Sequence, residues 1–443
     1  MIDEIGCTRA QMIHRRKRLM QAMDGQSVAL IPAAPEYIRN RDSHFPYRPD
    51  SDFWYLTGFP EPSALLLIAP EHPKTQVILF CQERDIAKEQ WSGRRIGVED
   101  AAEKYGVDVA YCITQIDDVL PKLLSGCKKI YYPMGRYAQF DQNVLTWTMH
   151  TRASPSAVSP SIFEDVGVLI NPLRLIKTPE EIALMQHAAT ISVEAHRAAM
   201  QHAAVGMKEY ALQAHIEYVF KKHGACPAYN TIVGSGENAC ILHYQTNRAT
   251  CSNGDLVLID AGAEYLGYAA DITRTFPVNG TFTPDQKALY NVVVKAYEAA
   301  LAVAIPGKTF EECHLAAVHE ITEGLLQLGL LQGSFENAVQ QKLYSRFYPH
   351  RTGHWLGIDV HDVGQYVDAQ RASRVLEAGM VFTIEPGIYI PPDHQQVPSR
   401  WRGMGVRLED DIHITPEGHS VLTGALDYRA EAIEALMAGR SGV

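Results

Sequence analysis

The sequence predicts a mixed α/β (α+β) chain in two parts. An N-terminal α/β domain covers 1–175, and a C-terminal domain covers 176–443. The second is built as two helix–helix–strand halves around one curved antiparallel sheet, with the helices on its outer face. Three observations predict this. Strand-like and helix-like runs alternate from 27 to 175. A strong helix start, TPEE, stands at Thr178. A near-repeat then relates AHRAAMQHAAVG (195–206) to AYEAALAVAIPG (296–307).

Taken in order, Met12, Leu19, Met20 and Met23 suit a surface helix at the start of the chain. The apolar runs SVALIPA, ALLLIAP, TQVILFC and KIYYPM read as strands, and VEDAAEKYG and IDDVLPKLL read as the helices between them. Such alternation builds a domain around a sheet. At the junction Thr178 is an N-cap, Pro179 fits the first helical position and Glu181 completes a capping box. The repeat pairs Ala195 with Ala296, Ala199 with Ala300 and Gly206 with Gly307. A second helix follows each glycine. An acid-bearing strand run follows each helix pair: DLVLIDAG in one copy, GMVFTIEPG in the other.

Composition bounds the function. Of 443 residues, 46% are hydrophobic and 21% charged, as in an ordinary globular protein. A net charge of −11 argues against a nucleic-acid partner and is compatible with capture of cations. No apolar run reaches the roughly 18 residues of a membrane span, and the first residues, with Asp3 and Glu4, do not read as a targeting segment. Eight scattered cysteines with no CxxC pair suit a reduced, cytoplasmic setting.

The stretch VLIDAGAEYLGYAADITRTF places Asp260 and Asp271 inside apolar strand runs. A hairpin centred between Tyr265 and Leu266 puts the two acids directly opposite each other, which destabilises a strand pair. Solvent at a wet rim, a shared proton or a bound cation would relieve it. Further on, Glu385 ends the strand VFTI, and alternation places Arg407, Glu409, Asp411 and His413 on one strand face. Parity does not choose between Glu409 and Asp411. Between them lies PHRTGHWLGIDVHDVG, whose glycines favour a loop or irregular strand carrying His350, His354 and His361. His243 precedes the first hairpin. Acids with imidazole and no thiolate suit Mn²⁺, Co²⁺ or Zn²⁺. Four acids suit two ions, roughly 3.5–4 Å apart, better than one.

The order Asp260, Asp271, His354, Glu385, Glu409 resembles the ligand set of the pita-bread metallopeptidases, which comprise methionine aminopeptidase, prolidase and aminopeptidase P. The phrases IDAGAEYLGYAADITRTF, GHWLGIDVHD, TIEPGIYI and GVRLEDDI carry the likeness. DSHFPYRPDSDFWYLTGFPEP (42–62) and QWSGRRIG (90–97) extend it into the first domain, where they resemble the bacterial type of aminopeptidase P. The resemblance implies two divalent ions, Mn²⁺ first, with Co²⁺ or Zn²⁺ as alternatives. Asp260 and Asp271 would bind one ion, with Asp271 and Glu409 bridging and His354 and Glu385 completing the other site. Glu385 would also shuttle a proton. His361 and His243 would bond the substrate carbonyl, His350 and Arg407 would line the proline subsite, and Tyr389 would support them. Trp91 and Asp42 would touch substrate near the mouth or at a subunit interface. The implied reaction releases the N-terminal residue from peptides with proline second, in a homodimer or homotetramer assembled partly through the first domain. An Xaa-Pro dipeptidase, a metal-free peptide-binding relative and a metal-free C–N hydrolase are the alternatives. The proline-rich segment PPDHQQVPSRWRGMG departs from the family pattern and affects the rim of the site.

Overall fold

The computed structural model describes residues 8–152, 158–368 and 370–439. The chain divides into two compact units, Met1–Arg174 and Leu175–Val443.

In the first unit, six strands form one mixed sheet. Their spatial order is Val109–Cys112, Val77–Cys81, Leu65–Ile68, Ser27–Pro32, Lys129–Tyr132 and Ile162–Asp165. The central strands are apolar throughout because both faces are covered, and Ser27–Pro32 is buried at every position. On one face Val28, Leu30, Leu65, Leu67, Ile78 and Phe80 pack with Leu120, Leu124 and Trp147 of the helices Ile116–Leu124 and Ala138–Arg152. The opening helix, Arg9–Ala22, buries Met12 and Leu19 and, beyond the expected surface pattern, Arg15 and Arg16. Burial of Arg16 is tolerated because its guanidinium donates to the carbonyls of Leu56, Tyr105 and Gly106 at 2.7–2.9 Å.

The second unit opens with the helix Pro179–His202, closed at its start by the Thr178–Glu181 capping box. The helix Pro284–Val303 opens with a matching box, Thr283–Gln286. Each is followed by a partner helix, Glu209–Lys222 and Phe310–Gln327. The repeat extends to individual hydrogen bonds. The Gly206 N–H donates to Cys251 O, and the Cys251 N–H donates to Met207 O. In the other half Gly307 donates to Leu376 O, and Leu376 donates to Lys308 O. The interval from Cys251 to Leu376 equals that from Asp260 to Glu385, so the two halves end equivalent strands in equivalent acids.

Short antiparallel ladders make up the curved sheet. Ile232–Ser235, Leu256–Asp260 and Thr273–Pro277 form one. Val381–Ile384, Asp410–Thr415 and Gly418–Val421 form a second, and Gly387–Ile390 pairs with Met404–Arg407. An isolated bridge between Thr273 and Glu409 joins the first half to the second.

The hairpin register differs from the expected one. Asp260 faces Thr273, and Tyr265 faces Tyr268, so the turn is Leu266-Gly267, one residue later than expected. Both turn residues have positive φ, 50° and 86°, as two-residue hairpin turns require, and glycine takes the second position. Asp271 then stands beside Gly262, where a Cβ would lie 1.7 Å from Ala270 O. The register slips by two residues, so Asp260 and Asp271 are diagonal neighbours and still share a face.

Candidate active site and metal centre

The acids converge where the two halves meet. Among the described residues, ligand atoms of Asp271, His354 and Glu409 all lie within 4.8 Å of one another. Asp260 and Asp271 come from the ends of the first hairpin, Glu385 from the end of the strand Val381–Ile384, and Glu409 from the break between Met404–Arg407 and Asp410–Thr415. His354 lies on an irregular strand, not a helix. The Thr383 N–H donates to His354 O at 2.9 Å and the Glu385 N–H to Thr352 O at 2.7 Å. The histidine loop is thereby registered against the acid-bearing strand.

The ring of His354 is oriented for ligation. Its Nδ1 donates to Trp355 O at 3.0 Å, which leaves Nε2 facing Asp271 Oδ2 at 3.5 Å and Glu385 Oε1 at 3.6 Å. A backbone acceptor on one ring nitrogen is the usual way to aim the other at a metal. Burial opposes charge on this ring, yet Asp271 and Glu385 override it and lift its pKa to about 9.

The carboxylates are pushed the other way. Burial, together with repulsion from Asp271 and Asp260, raises Glu385 to about 7. Burial and the charges of Asp271, Glu385 and Asp260 put Glu409 well above the usual range. Asp260 is raised by burial and by Asp271, against the pull of Arg407. Asp411, the residue that strand parity leaves level with Glu409, sits one step behind: both its oxygens accept the Asp271 N–H at 3.1 Å. Burial and Asp271 raise it too.

Arg407 is buried. Its guanidinium donates to Asp260, to Tyr389 Oη at 3.0 Å and to Thr273 Oγ1 at 3.1 Å. Tyr389 in turn donates to His350 Nε2 at 2.8 Å, while His350 Nδ1 donates to Arg351 O at 2.7 Å. Burial and the Arg407 charge hold this imidazole neutral, with its pKa lowered to about 3. His361 stacks edge-on against His354 with ring centres 4.3 Å apart, and His243 is exposed but close enough to influence both His350 and His361. Trp91 and Asp42 are exposed on the first unit.

Tyr229 is absent from the sequence expectations. Its hydroxyl donates to both Asp260 and Asp271, and burial plus the two charges push its pKa well above 10. A tyrosine in PAYNTIV carries no polar pattern that announces such a role. The only available signal was that Pro227 and Ala228 pair with the same hairpin, which is tertiary information.

This donor set fits divalent cations. Four carboxylates and one aimed imidazole Nε2 form a hard, oxygen-rich site. Among the described residues, the internal cations beside them, Arg407 and protonated His354, do not balance the acids.

Comparison with known proteins agrees. Residues 183–416 match metallopeptidase family M24, and residues 12–131 match the aminopeptidase P N-terminal domain. The chain is 45% identical to the Xaa-Pro aminopeptidase of Escherichia coli (strain K12) over 434 residues, covering 97% of this chain and 98% of that protein. The structure of Pseudomonas aeruginosa aminopeptidase PepP superimposes with a TM-score of 0.96 at 47% identity, covering 98% and 99% of the two chains. Zinc-substituted E. coli aminopeptidase P in complex with product superimposes with a TM-score of 0.95 at 44% identity, covering 99% and 100%. With this likeness running the length of both units, the pita-bread fold expected of the second is present, and the chain belongs to the aminopeptidase P group of metallopeptidase family M24.

Proposed function

We propose that the protein is an Xaa-Pro aminopeptidase, a metallo-exopeptidase that releases the N-terminal residue from peptides with proline in second position. The observation that carries this is the convergence of Asp271, His354 and Glu409 from both halves of the second unit into one buried, anionic pocket. Two divalent ions, Mn²⁺ first and Co²⁺ or Zn²⁺ as alternatives, would supply Lewis acidity and a water of lowered pKa. Asp260, Asp271, His354, Glu385 and Glu409 would hold them.

The chain's own residues do the rest. An Xaa-Pro bond is a tertiary amide with no N–H, and its leaving nitrogen needs a proton. Glu385 would take a proton at its free carboxylate oxygen and return it to that nitrogen. His361 and His243 supply donors to the substrate carbonyl. His350, kept neutral and held by Tyr389 and Arg407, shapes the proline subsite.

The same proposal includes a role for 1–175 in assembly and substrate access, with 176–443 catalytic, and a homodimer or homotetramer in which Trp91 and Asp42 approach substrate or an interface. Cys81, Cys112, Cys127, Cys240, Cys251 and Cys313 are free thiols, which supports a reducing, cytoplasmic setting; among the described residues no helix is long and apolar enough to cross a membrane.

The test is cleavage of an Arg-Pro-Pro peptide with Mn²⁺, beside Glu385→Ala and beside an Xaa-Pro dipeptide. Wild type should release one arginine and prefer the longer peptide, and the variant should be nearly inactive. Equal turnover by both proteins would remove Glu385 from the chemistry, and turnover of the dipeptide alone would make this a dipeptidase.

A further inference from the structure

We propose that Arg274, anchored by Asp410, is a positioning residue that sets the separation of Asp271 and Glu409 across the seam between the two halves. The inference rests on the reading that these two acids share the bound ions.

The seam has little sheet of its own. Thr273–Pro277 belongs to the ladder of the first half, and Asp410–Thr415 to a ladder of the second. Among the described residues the backbone crossing next to the ligands is the single Thr273–Glu409 bridge, with the Glu409 N–H donating to Thr273 O at 3.1 Å. Side-chain bonds also cross here, from the Thr275 hydroxyl to Arg407 O at 2.9 Å and from the Asp271 N–H to Asp411 at 3.1 Å, but one ladder bond is a weak hinge to hold two ligands in place.

Arg274 closes that hinge from behind. Alternation turns it away from the face that carries Thr273, so it does not line the site. Its Nη1 donates to the carbonyls of both bridge residues, Thr273 O at 3.0 Å and Glu409 O at 2.7 Å. Its Nη2 donates to Asp410 Oδ1 at 2.8 Å and to Leu426 O at 2.7 Å. Asp410 is itself held by the Thr423 hydroxyl at 2.6 Å. Both charged side chains have zero exposure.

A buried ion pair is a poor device for stability, since well-packed apolar residues commonly do as well. What a planar fork offers is geometry. Here the fork grips the carbonyl of the residue two places after one bridging ligand and the carbonyl of the other ligand itself. Lysine would keep the charge but cannot hold four acceptors in one plane.

The experiment uses EDTA-stripped full-length protein: wild type, Arg274→Lys, Arg274→Met, and Leu325→Ala, which lowers stability from a buried core position outside the seam. Mn²⁺ uptake is followed by calorimetry, and the ion pair by its exchange-coupled electron paramagnetic resonance signal. Wild type should take up two equivalents and show the coupled signal. Arg274→Lys should bind the second equivalent at least about tenfold more weakly and show an uncoupled six-line spectrum, as two-ion sites require a fixed spacing. Leu325→Ala should bind like wild type despite its lower melting temperature. If Arg274→Met does not fold, the lysine variant alone decides. Wild-type binding and coupling in Arg274→Lys, or equal weakening in Leu325→Ala, would overturn the inference. Wild type that takes up no Mn²⁺ would overturn the reading of the site and this inference with it.

Discussion

Two buried charge clusters lie back to back on the strand Thr273–Pro277, and they are built on opposite principles. Behind it, Arg274 meets Asp410, and the guanidinium is further satisfied by three carbonyls. In front, among the described residues, the charges set against Asp260, Asp271, Glu385, Glu409 and Asp411 are those of Arg407 and His354. Burying an unbalanced charge costs several kcal/mol, and the group takes up a proton instead. The rear cluster balances its charge within the fold, although Arg274 Nε and Asp410 Oδ2 are buried without a hydrogen-bond partner. The unbalanced one is finished only by a cation from outside, and that difference locates the metal centre.

The largest effect should come from Glu409→Gln. Burial and the neighbouring acids raise this group's pKa in the metal-free protein, so a neutral glutamine of the same shape is accommodated there. The substitution should leave the melting temperature of the stripped protein unchanged while removing at least about 10³-fold of kcat/KM, because a ligand shared by both ions is lost. A large fall in stability of the stripped variant would show that the front cluster is not waiting for a cation.

Asp410→Ala should do the reverse. It strands a buried guanidinium and should cost about 3–5 kcal/mol of unfolding free energy, read by urea denaturation. A neutral outcome would mean that the rear cluster is not closed by charge.

A smaller effect is expected from pH. Glu385 rises from the usual 4.5 to about 7, so the folded chain holds its proton longer than the unfolded one, and that stability is lost as pH climbs through 7. His354 rises from 6.5 to about 9; its contribution is complete below 6.5 and is lost as pH climbs through 9. The neutral histidines His196, His314 and His350, lowered to about 4, 4 and 3, work weakly the other way: near 6.5 they are still partly charged in the unfolded chain, so they add a small gain in stability that is complete by about pH 8. Thermal melts of stripped protein should therefore drop by several degrees between pH 6.5 and 8.5. With saturating Mn²⁺ the trend should vanish or invert, since the ions replace those protons. A flat profile without metal would contradict the proton-filled front cluster.

Smallest of all should be Tyr229→Phe. It removes one donor shared by Asp260 and Asp271 and should destabilise the stripped protein by about 1 kcal/mol. Mn²⁺ affinity, measured by calorimetry, should change less than tenfold, because the ions satisfy the same oxygens. A larger loss would make the phenol part of the metal centre.

Much of this was legible from residue order, for identifiable reasons. Capping boxes at Thr178 and Thr283 are local chemistry, and both are present in the structure. The repeat was visible in alanine and glycine spacing because equivalent helix pairs need equivalent packing. The acids Asp260 and Asp271 were assigned to one face although their register was off by two, since a two-residue slip preserves strand parity. The two-residue slip arises because the turn is Leu266-Gly267, where glycine in the second position accommodates the positive φ and offsets the unfavourable leucine.

Residue types and their alternation, by themselves, determined that acids from two related halves sit in apolar strands and need solvent, a shared proton or a cation to relieve them, because period and charge are properties of the chain alone. Strand parity left open which acid on 407–413 joins Asp271, and the family resemblance implied Glu409; tertiary structure alone decided that Tyr229 sits between two aspartates and that Arg274 grips the seam. Those choices depend on contacts between segments that lie from 31 to 136 residues apart, as Tyr229 and Asp260 and then Arg274 and Asp410 do, and no local pattern encodes the distance at which such segments come to rest.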